Sequence, residues 1–212
     1  MKSRPILFSA PMVLAIRDDI KDQTRRIARL NDSGRVKKPG SPLNWHPEDP
    51  NAILACPYGQ PGDELWVKET FFPVHLYKSA PLFAAVTPDY LYRADYAYRE
   101  DDKSRPSVIG CHHWKPSIFM HRAASRFTLR ITQVRLQRLQ DITDEDAERE
   151  GVKPIIETGP FPSWQSTAPP HLQHVKSLDH ITPYRTLWNS INGPDSWTTN
   201  PYVWAITFKR TA

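Results

Sequence analysis

At 212 residues, 39% of them hydrophobic, the chain is long enough for one large domain with a buried core. Its 28 cations exceed its 23 carboxylates, and 17 of the 28 are arginine, a bias toward planar, bidentate recognition of phosphate or carboxylate. Two cysteines, Cys56 and Cys111, argue against a disulfide scaffold or a four-cysteine zinc site, and no apolar run approaches the ~20 residues that span a membrane.

The first residues, Met1-Lys2-Ser3-Arg4-Pro5, have no signal-peptide core behind them, so a cytoplasmic protein without a membrane partner is expected. Ile6-Leu7-Phe8 reads as a short buried strand. Ser9 is placed to cap a helix with Pro11 in its first turn, and Met12, Ile16 and Ile20 form one stripe that puts Lys21 at the helix end. Residues 29–50 are polar and rich in turn formers. Tyr58-Gly59-Gln60-Pro61-Gly62-Asp63 is a turn feeding a strand over 64–71, in which Leu65, Val67, Glu69 and Phe71 share a face. A carboxylate on that apolar face requires a partner.

Residues 73–113 lack sustained periodicity apart from a strand-like Tyr90–Asp95, and they read as an insertion. The clearest strand covers 125–139. Phe127, Leu129 and Ile131 alternate, then the phase slips to Val134 and Leu136, which predicts a bulge or bend near Thr132-Gln133. Thr143 caps a short helix with Asp146 three residues on, and Gly151 ends it. Residues 153–180 read as a second inserted loop. Pro183 opens an amphipathic helix carrying Tyr184, Leu187, Trp188 and Ile191, and 202–208 is a closing strand apolar on both faces. The expected fold is α+β: a single domain with a bent β-sheet or small barrel, helices at its rims, and the two insertions.

Two local features carry chemistry. In Ile20-Lys21-Asp22-Gln23-Thr24-Arg25-Arg26 a hydroxyl stands three residues after a lysine. A desolvated lysine serves as a base, and such a base turns a hydroxyl into a nucleophile. Glu150 stands at the last residue of a short helix, where the dipole's negative end disfavours a carboxylate and favours the protonated acid of a proton donor. Trp114, Lys115, Ser117, Arg122, Ser125 and Arg126 mix stacking surface, hydroxyls and cations, a set that suits a nucleobase and its phosphate. Glu69 is either a second acid or a structural partner for an arginine. Cys111-His112-His113 with His121 makes a poor metal set, because adjacent histidines diverge and no second cysteine is near. No metal or other cofactor is expected.

Taken together, these strings resemble the ASCH domain of the PUA-like superfamily, in its longer phage and prophage form. The likeness rests on Lys21–Arg26, Cys56–Asp63, Leu65–Thr70, Tyr92–Asp95, Trp114–Met120, Leu187–Gly193 and Asn200–Trp204, and on the acidic Ile142–Gly151 helix, so it covers most of the chain. It implies a PUA-like bent β-barrel. Small bacterial ASCH proteins include an amidohydrolase that removes the acetyl group of N4-acetylcytidine with a lysine, a threonine three residues later and a glutamate of the acidic helix. By motif position these are Lys21, Thr24 and Glu150. The resemblance thus implies hydrolysis of an N4-acylcytosine-type amide: Lys21 takes the proton of Thr24, the threonine oxygen attacks the acyl carbonyl, and Glu150 protonates the departing nitrogen. The family's usual Gly-Arg-Lys-Thr start is here Asp19-Ile20-Lys21-Asp22, whose two carboxylates are expected to stabilise the ammonium.

The expected substrate-binding set is Arg25, Arg26, Trp66, Glu69, Trp114, Lys115, Ser117, Arg122 and Arg126. The expected partner is a modified nucleoside or single-stranded nucleic acid. A non-catalytic RNA- or DNA-binding module and a ribonuclease are the alternatives. Lys21 and Thr24 fall past the apolar helix stripe, so truncating either is expected to cost no more than about 1 kcal/mol of stability.

Overall fold

The computed structural model describes residues 1–74, 89–96, 114–158 and 175–211. Most of both expected insertions, and Cys111, His112 and His113, lie outside the described residues. In chain order the elements are β1 (Ser3–Leu7), α1 (Ala10–Arg17), β2 (Gln23–Ile27), β3 (Val36–Lys37), β4 (Asn44–Trp45), β5 (Glu64–Lys68), β6 (Phe71–Pro73), β7 (Tyr90–Tyr92), α2 (Arg93–Tyr96) and β8 (Thr128–Arg138). Then follow α3 (Asp144–Arg149), β9 (Ile155–Thr158), β10 (Val175–Asp179), α4 (Ile181–Asn192) and β11 (Tyr202–Arg210), with short 3-10 turns between. The architecture is α+β. Its principal sheet is five-stranded and mixed, in the order β1-β5-β8-β11-β2; β1 runs parallel to β5, and the β5–β8 and β11–β2 pairs are antiparallel. With β1 and β2 at the two ends of that order, no closed ring of strands forms among the described residues.

The chain divides into two compact units. One comprises residues 1–19, 57–133 and 208–212, the other 20–56 and 134–207. In the first, α1 begins as its sequence dictates, with Ser9 at the N-cap and proline in the first turn. It stops at Arg17, however, and buries Val13 and Ile16; Ile20 is 60% exposed, so the stripe does not run to Lys21. Asp18 closes the helix and Asp19 adopts φ 55°, a left-handed geometry that aspartate tolerates and that turns the chain out of the helix. The turn before β5 depends on Gly59. At φ 128° a side chain there is strained, and its Cβ would stand 2.9 Å from the Arg4 guanidinium. Leu65 and Val67 of β5 are buried, and Glu69 is buried with them, its carboxylate held by Arg126 at 2.8 and 3.0 Å. The expected strand over 64–71 breaks in two at this point, into β5 and β6. Strand character likewise stops at Tyr92, and Arg93–Tyr96 coil into a single helical turn.

In the second unit the core is Leu139, Ile142, Ala147, Tyr184, Trp188 and Val203, beneath α3 and α4. Thr143 caps α3 by accepting from the Asp146 backbone N–H at 3.2 Å, and Gly151 follows with φ 82°. Helix α4 starts two residues ahead of Pro183; Tyr184 and Trp188 are buried, whereas Ile191 is 55% exposed. Where the composition of 153–180 suggested only loop, β9 and β10 pair antiparallel. In β8, Leu129 and Ile131 are buried, Thr132 and Gln133 are both exposed, and burial resumes at Val134. The anticipated phase slip is therefore present, and it coincides with the boundary between the units.

Candidate active site

The second unit holds a buried polar network built from β2 and α3. Side chains of a strand alternate between faces, and the odd positions entering and following β2 point one way. Lys21, Gln23 and Arg25 all reach α3. The Lys21 ammonium donates to Glu150 Oε2 at 2.6 Å and to the Glu150 backbone carbonyl at 2.8 Å. Gln23 Nε2 donates to Asp146 Oδ1 at 2.7 Å. The Arg25 guanidinium spans both acids, with Nη2 to Asp146 Oδ2 at 2.6 Å and Nη1 to Glu150 Oε1 at 3.2 Å. Arg135 of β8 completes the group, donating to both Asp146 oxygens at 2.8 and 2.9 Å and to Gln23 Oε1 at 3.1 Å. Asp146 and Glu150 are four residues apart and so lie on one face of the helical turn, which is why one strand can meet both.

This contact explains the carboxylate that breaks the helix-dipole rule. Glu150 caps the C-terminal end of α3, and the charges of Lys21 and Arg25 converge on that end, where a cation is favoured. The Lys21 side chain is wholly buried. Desolvation is the largest influence on it and lowers its pKa from the ordinary 10.5; the Glu150 charge and hydrogen bond oppose the shift, while Arg26 and Arg25 add to it. Asp19 and Asp22 do not stabilise the ammonium as the sequence suggested. Asp22 is taken by Arg149 through two bonds of 2.9 Å, and Asp19 by Arg210 at 3.0 Å. Nor is Lys21 a group outside the core. At 2% exposure with a buried ionic partner, it cannot be truncated at the small cost expected from its position past the helix stripe. Tyr184 of α4 stands against the same acid, with the Arg25 guanidinium 5.9 Å from its ring centre. Burial first, and the Glu150 charge second, push the Tyr184 phenol well above its usual value and keep it protonated.

The structure therefore brings together Lys21 and Glu150, 129 residues apart in sequence, and adds Arg25. Thr24 is buried in β2 opposite Ile206 of β11. Alternation directs its side chain to the face opposite Gln23 and Arg25, and Arg26, half-buried, shares that face opposite Trp204. The sequence pattern gives Gln23, Asp146, Arg135 and Tyr184 no role in the site. The alternation of 21, 23 and 25 and the four-residue spacing of 146 and 150 are the signals that could have found the first two.

The remaining expected binding residues belong to the first unit. Trp66 is partly exposed, with the Lys68 ammonium 5.5 Å from its ring centre. Glu69 is paired with Arg126, as a structural role requires, and desolvation, opposed by Arg126, raises its pKa above the ordinary 4.5. Arg126 also bonds Asp95 at 2.7 Å and lies 4.1 Å from the Tyr92 ring centre. Trp114 packs edge-on against Phe72. The Lys115 backbone bridges to Phe71, Ser117 opens the turn Ser117–Phe119, and Arg122 donates to the Thr128 hydroxyl at 2.9 Å. No group of three or more metal-ligating side chains occurs among the described residues, and none of their helices is long and apolar enough to cross a membrane. No protein-family model, curated protein or solved structure matches the chain.

Proposed function

We propose that the chain is a nucleoside-directed amidohydrolase of the ASCH type, built on a PUA-like bent sheet, and that it cleaves an N4-acylcytosine-type amide. The observation that carries this reading is the buried contact between Lys21 and Glu150 at 2.6 Å. A buried ammonium and a buried carboxylate in contact, joined by one proton, form an acid–base pair. Transfer of that proton from Nζ to the carboxylate yields a neutral amine and a carboxylic acid, the protonation states that amide cleavage needs at its start.

In this scheme the amine takes the proton of the Thr24 hydroxyl, whose oxygen forms a bond to the acyl carbon. The carbonyl π electrons move to oxygen, and guanidinium or backbone donors stabilise that oxyanion. Collapse of the intermediate breaks the C–N4 bond, and Glu150 delivers its proton to the departing nitrogen. Lys21 is then an ammonium and Glu150 a carboxylate. Water, deprotonated by Glu150, attacks the acyl-threonine, and Lys21 returns its proton to the threonine oxygen, which restores the starting pair. Arg25 and Tyr184 hold Glu150 in place throughout.

Chromatography of N4-acylated cytidines incubated with the purified protein tests the reading. Wild type is expected to release cytidine and the carboxylic acid; Glu150→Gln, which keeps the shape but carries no acidic proton, is expected to lose at least 100-fold in rate. Turnover by Glu150→Gln at the wild-type rate would remove the acid–base role. Thr24 lies on the alternate face of β2, so Thr24→Ala is the discriminating variant for the nucleophile. Loss of turnover, with loss of any acyl-protein adduct on rapid quenching, supports Thr24. Retained turnover transfers the attack to water activated by Lys21.

A further inference from the structure

The polar network of the second unit is closed to solvent except at Arg135. Lys21, Gln23, Arg25, Asp146 and Glu150 are buried, whereas the Arg135 side chain keeps 35% of its surface exposed. Its guanidinium is held at one end only. All three of its hydrogen bonds leave from Nη2, to Gln23 Oε1 at 3.1 Å and to the two Asp146 oxygens at 2.8 and 2.9 Å. Nε is buried without an acceptor. Among the described residues Nη1, with its two N–H donors, has none either, and it is not buried.

The charges of the network do not balance. Lys21 and Glu150 sum to zero whichever of them holds the shared proton, and Asp146 cancels one of the two guanidinium charges, Arg25 and Arg135. Arg149, on the same helix as the acids, is neutralised by Asp22. One positive charge is left over, and its open end is Arg135 Nη1. A guanidinium already fixed by a buried acid loses little freedom on taking a second anion, so the group is preorganised for one. A carboxylate restores neutrality, whereas a phosphate carrying nearly two negative charges overshoots it. Asp146, which anchors Arg135, and Glu150, which serves the departing nitrogen in the scheme above, stand one helical turn apart, about 6 Å along the axis. Cytidine has no carboxylate of its own, so in such a substrate the anion belongs to the acyl part.

We propose that Arg135 is an anion subsite of the second unit, and that the acyl group of the substrate ends in a carboxylate, as in a succinyl or glutaryl amide. The substrate half of this proposal rests on the hydrolytic reading; the anion subsite does not.

Phenylglyoxal labelling of the full wild-type chain, read by peptide mass spectrometry, tests the subsite without turnover and without a variant. Succinamate at about ten times its Kd is expected to slow modification of Arg135 about 10-fold by mass action. Succinamide, its uncharged isostere, is expected to leave the rate unchanged, and the exposed Arg29 and Arg35 serve as internal references. The rates of hydrolysis of N4-succinylcytidine and N4-succinamoylcytidine then test selectivity. Wild type is expected to favour the carboxylate by about 10- to 100-fold in kcat/KM, the worth of a charge-assisted hydrogen bond. Arg135→Gln is expected to bring that ratio close to one, and Arg135→Lys, which keeps the charge, to retain part of it. A merely structural loss would slow both substrates alike. Absence of protection by succinamate, or protection by inorganic phosphate alone, would overturn the subsite. Cleavage of both amides without preference, or a preference that survives in Arg135→Gln, would overturn the selectivity and leave the hydrolytic reading intact. Protection of Arg135 with no cleavage of either amide would remove the hydrolytic reading, and the substrate half with it, while upholding the subsite.

Discussion

Lys21 shows how little a residue's sequence neighbours say about its environment. Two aspartates flank its segment, yet both are occupied by arginines, and the ammonium is instead buried against an acid 129 residues away. Its pKa is lowered, so the sign of its contribution to stability follows. A group depressed in the folded state stabilises fully above its unfolded value, near 10.5, and loses that contribution as pH falls through the lowered folded value. Wild type is therefore expected to gain stability relative to Lys21→Met as pH rises across that window. Urea midpoints of the two proteins, measured from neutral pH to about 10.5, check this. A constant difference between them would mean that Lys21 titrates as a solvated lysine does. Glu69, by contrast, behaved as its sequence position demanded: an acid in an apolar pattern had to be paired, and Arg126 pairs it.

At the scale of elements, α3 has only six residues, too short to be stable by its own hydrogen bonds. Its place is determined by the Thr143 cap, by the packing of Ala147 into the core, and by the ion and hydrogen-bond contacts to β2. Asp146 is the centre of these contacts, since Gln23, Arg25 and Arg135 all donate to it. Asp146→Ala leaves the buried Arg25 guanidinium short of a partner and is expected to destabilise the fold by about 3–5 kcal/mol. Chemical denaturation measures this directly. A loss below about 1 kcal/mol would mean that solvent replaces the carboxylate and the network is not dry. Boundaries set by local chemistry were legible in the residues: Ser9 takes the N-cap place of α1 ahead of its first-turn proline, Thr143 caps the start of α3, and Gly151 takes the positive φ just past its end. The end of α1 was less so. The apolar spacing carries the α1 stripe on to Ile20, but two aspartates, one of them the left-handed Asp19, stop the helix three residues earlier.

At the scale of the whole molecule, the five-stranded principal sheet is the largest sheet among the described residues. Its strand β11 is buried without a break from Val203 to Phe208, as a run apolar on both faces predicts. Backbone amides there are expected to show the slowest hydrogen exchange in the chain, and those of the end strand β1 faster exchange, because opening β11 exposes more apolar surface. Exchange in β11 as fast as in β1 would contradict its interior place between β8 and β2. The α+β class, the positions of the main strands, the caps and the need for a partner at Glu69 were legible in the residues alone, since all of these follow from periodicity, backbone restriction and desolvation acting within a few residues. That Lys21 and Glu150 touch, that Arg25 is held between two acids, and that Thr24 turns to the other face of its strand emerge from the folded chain alone. Those outcomes depend on long-range strand register and on which buried charges find each other, and neither is encoded in any short window of residues.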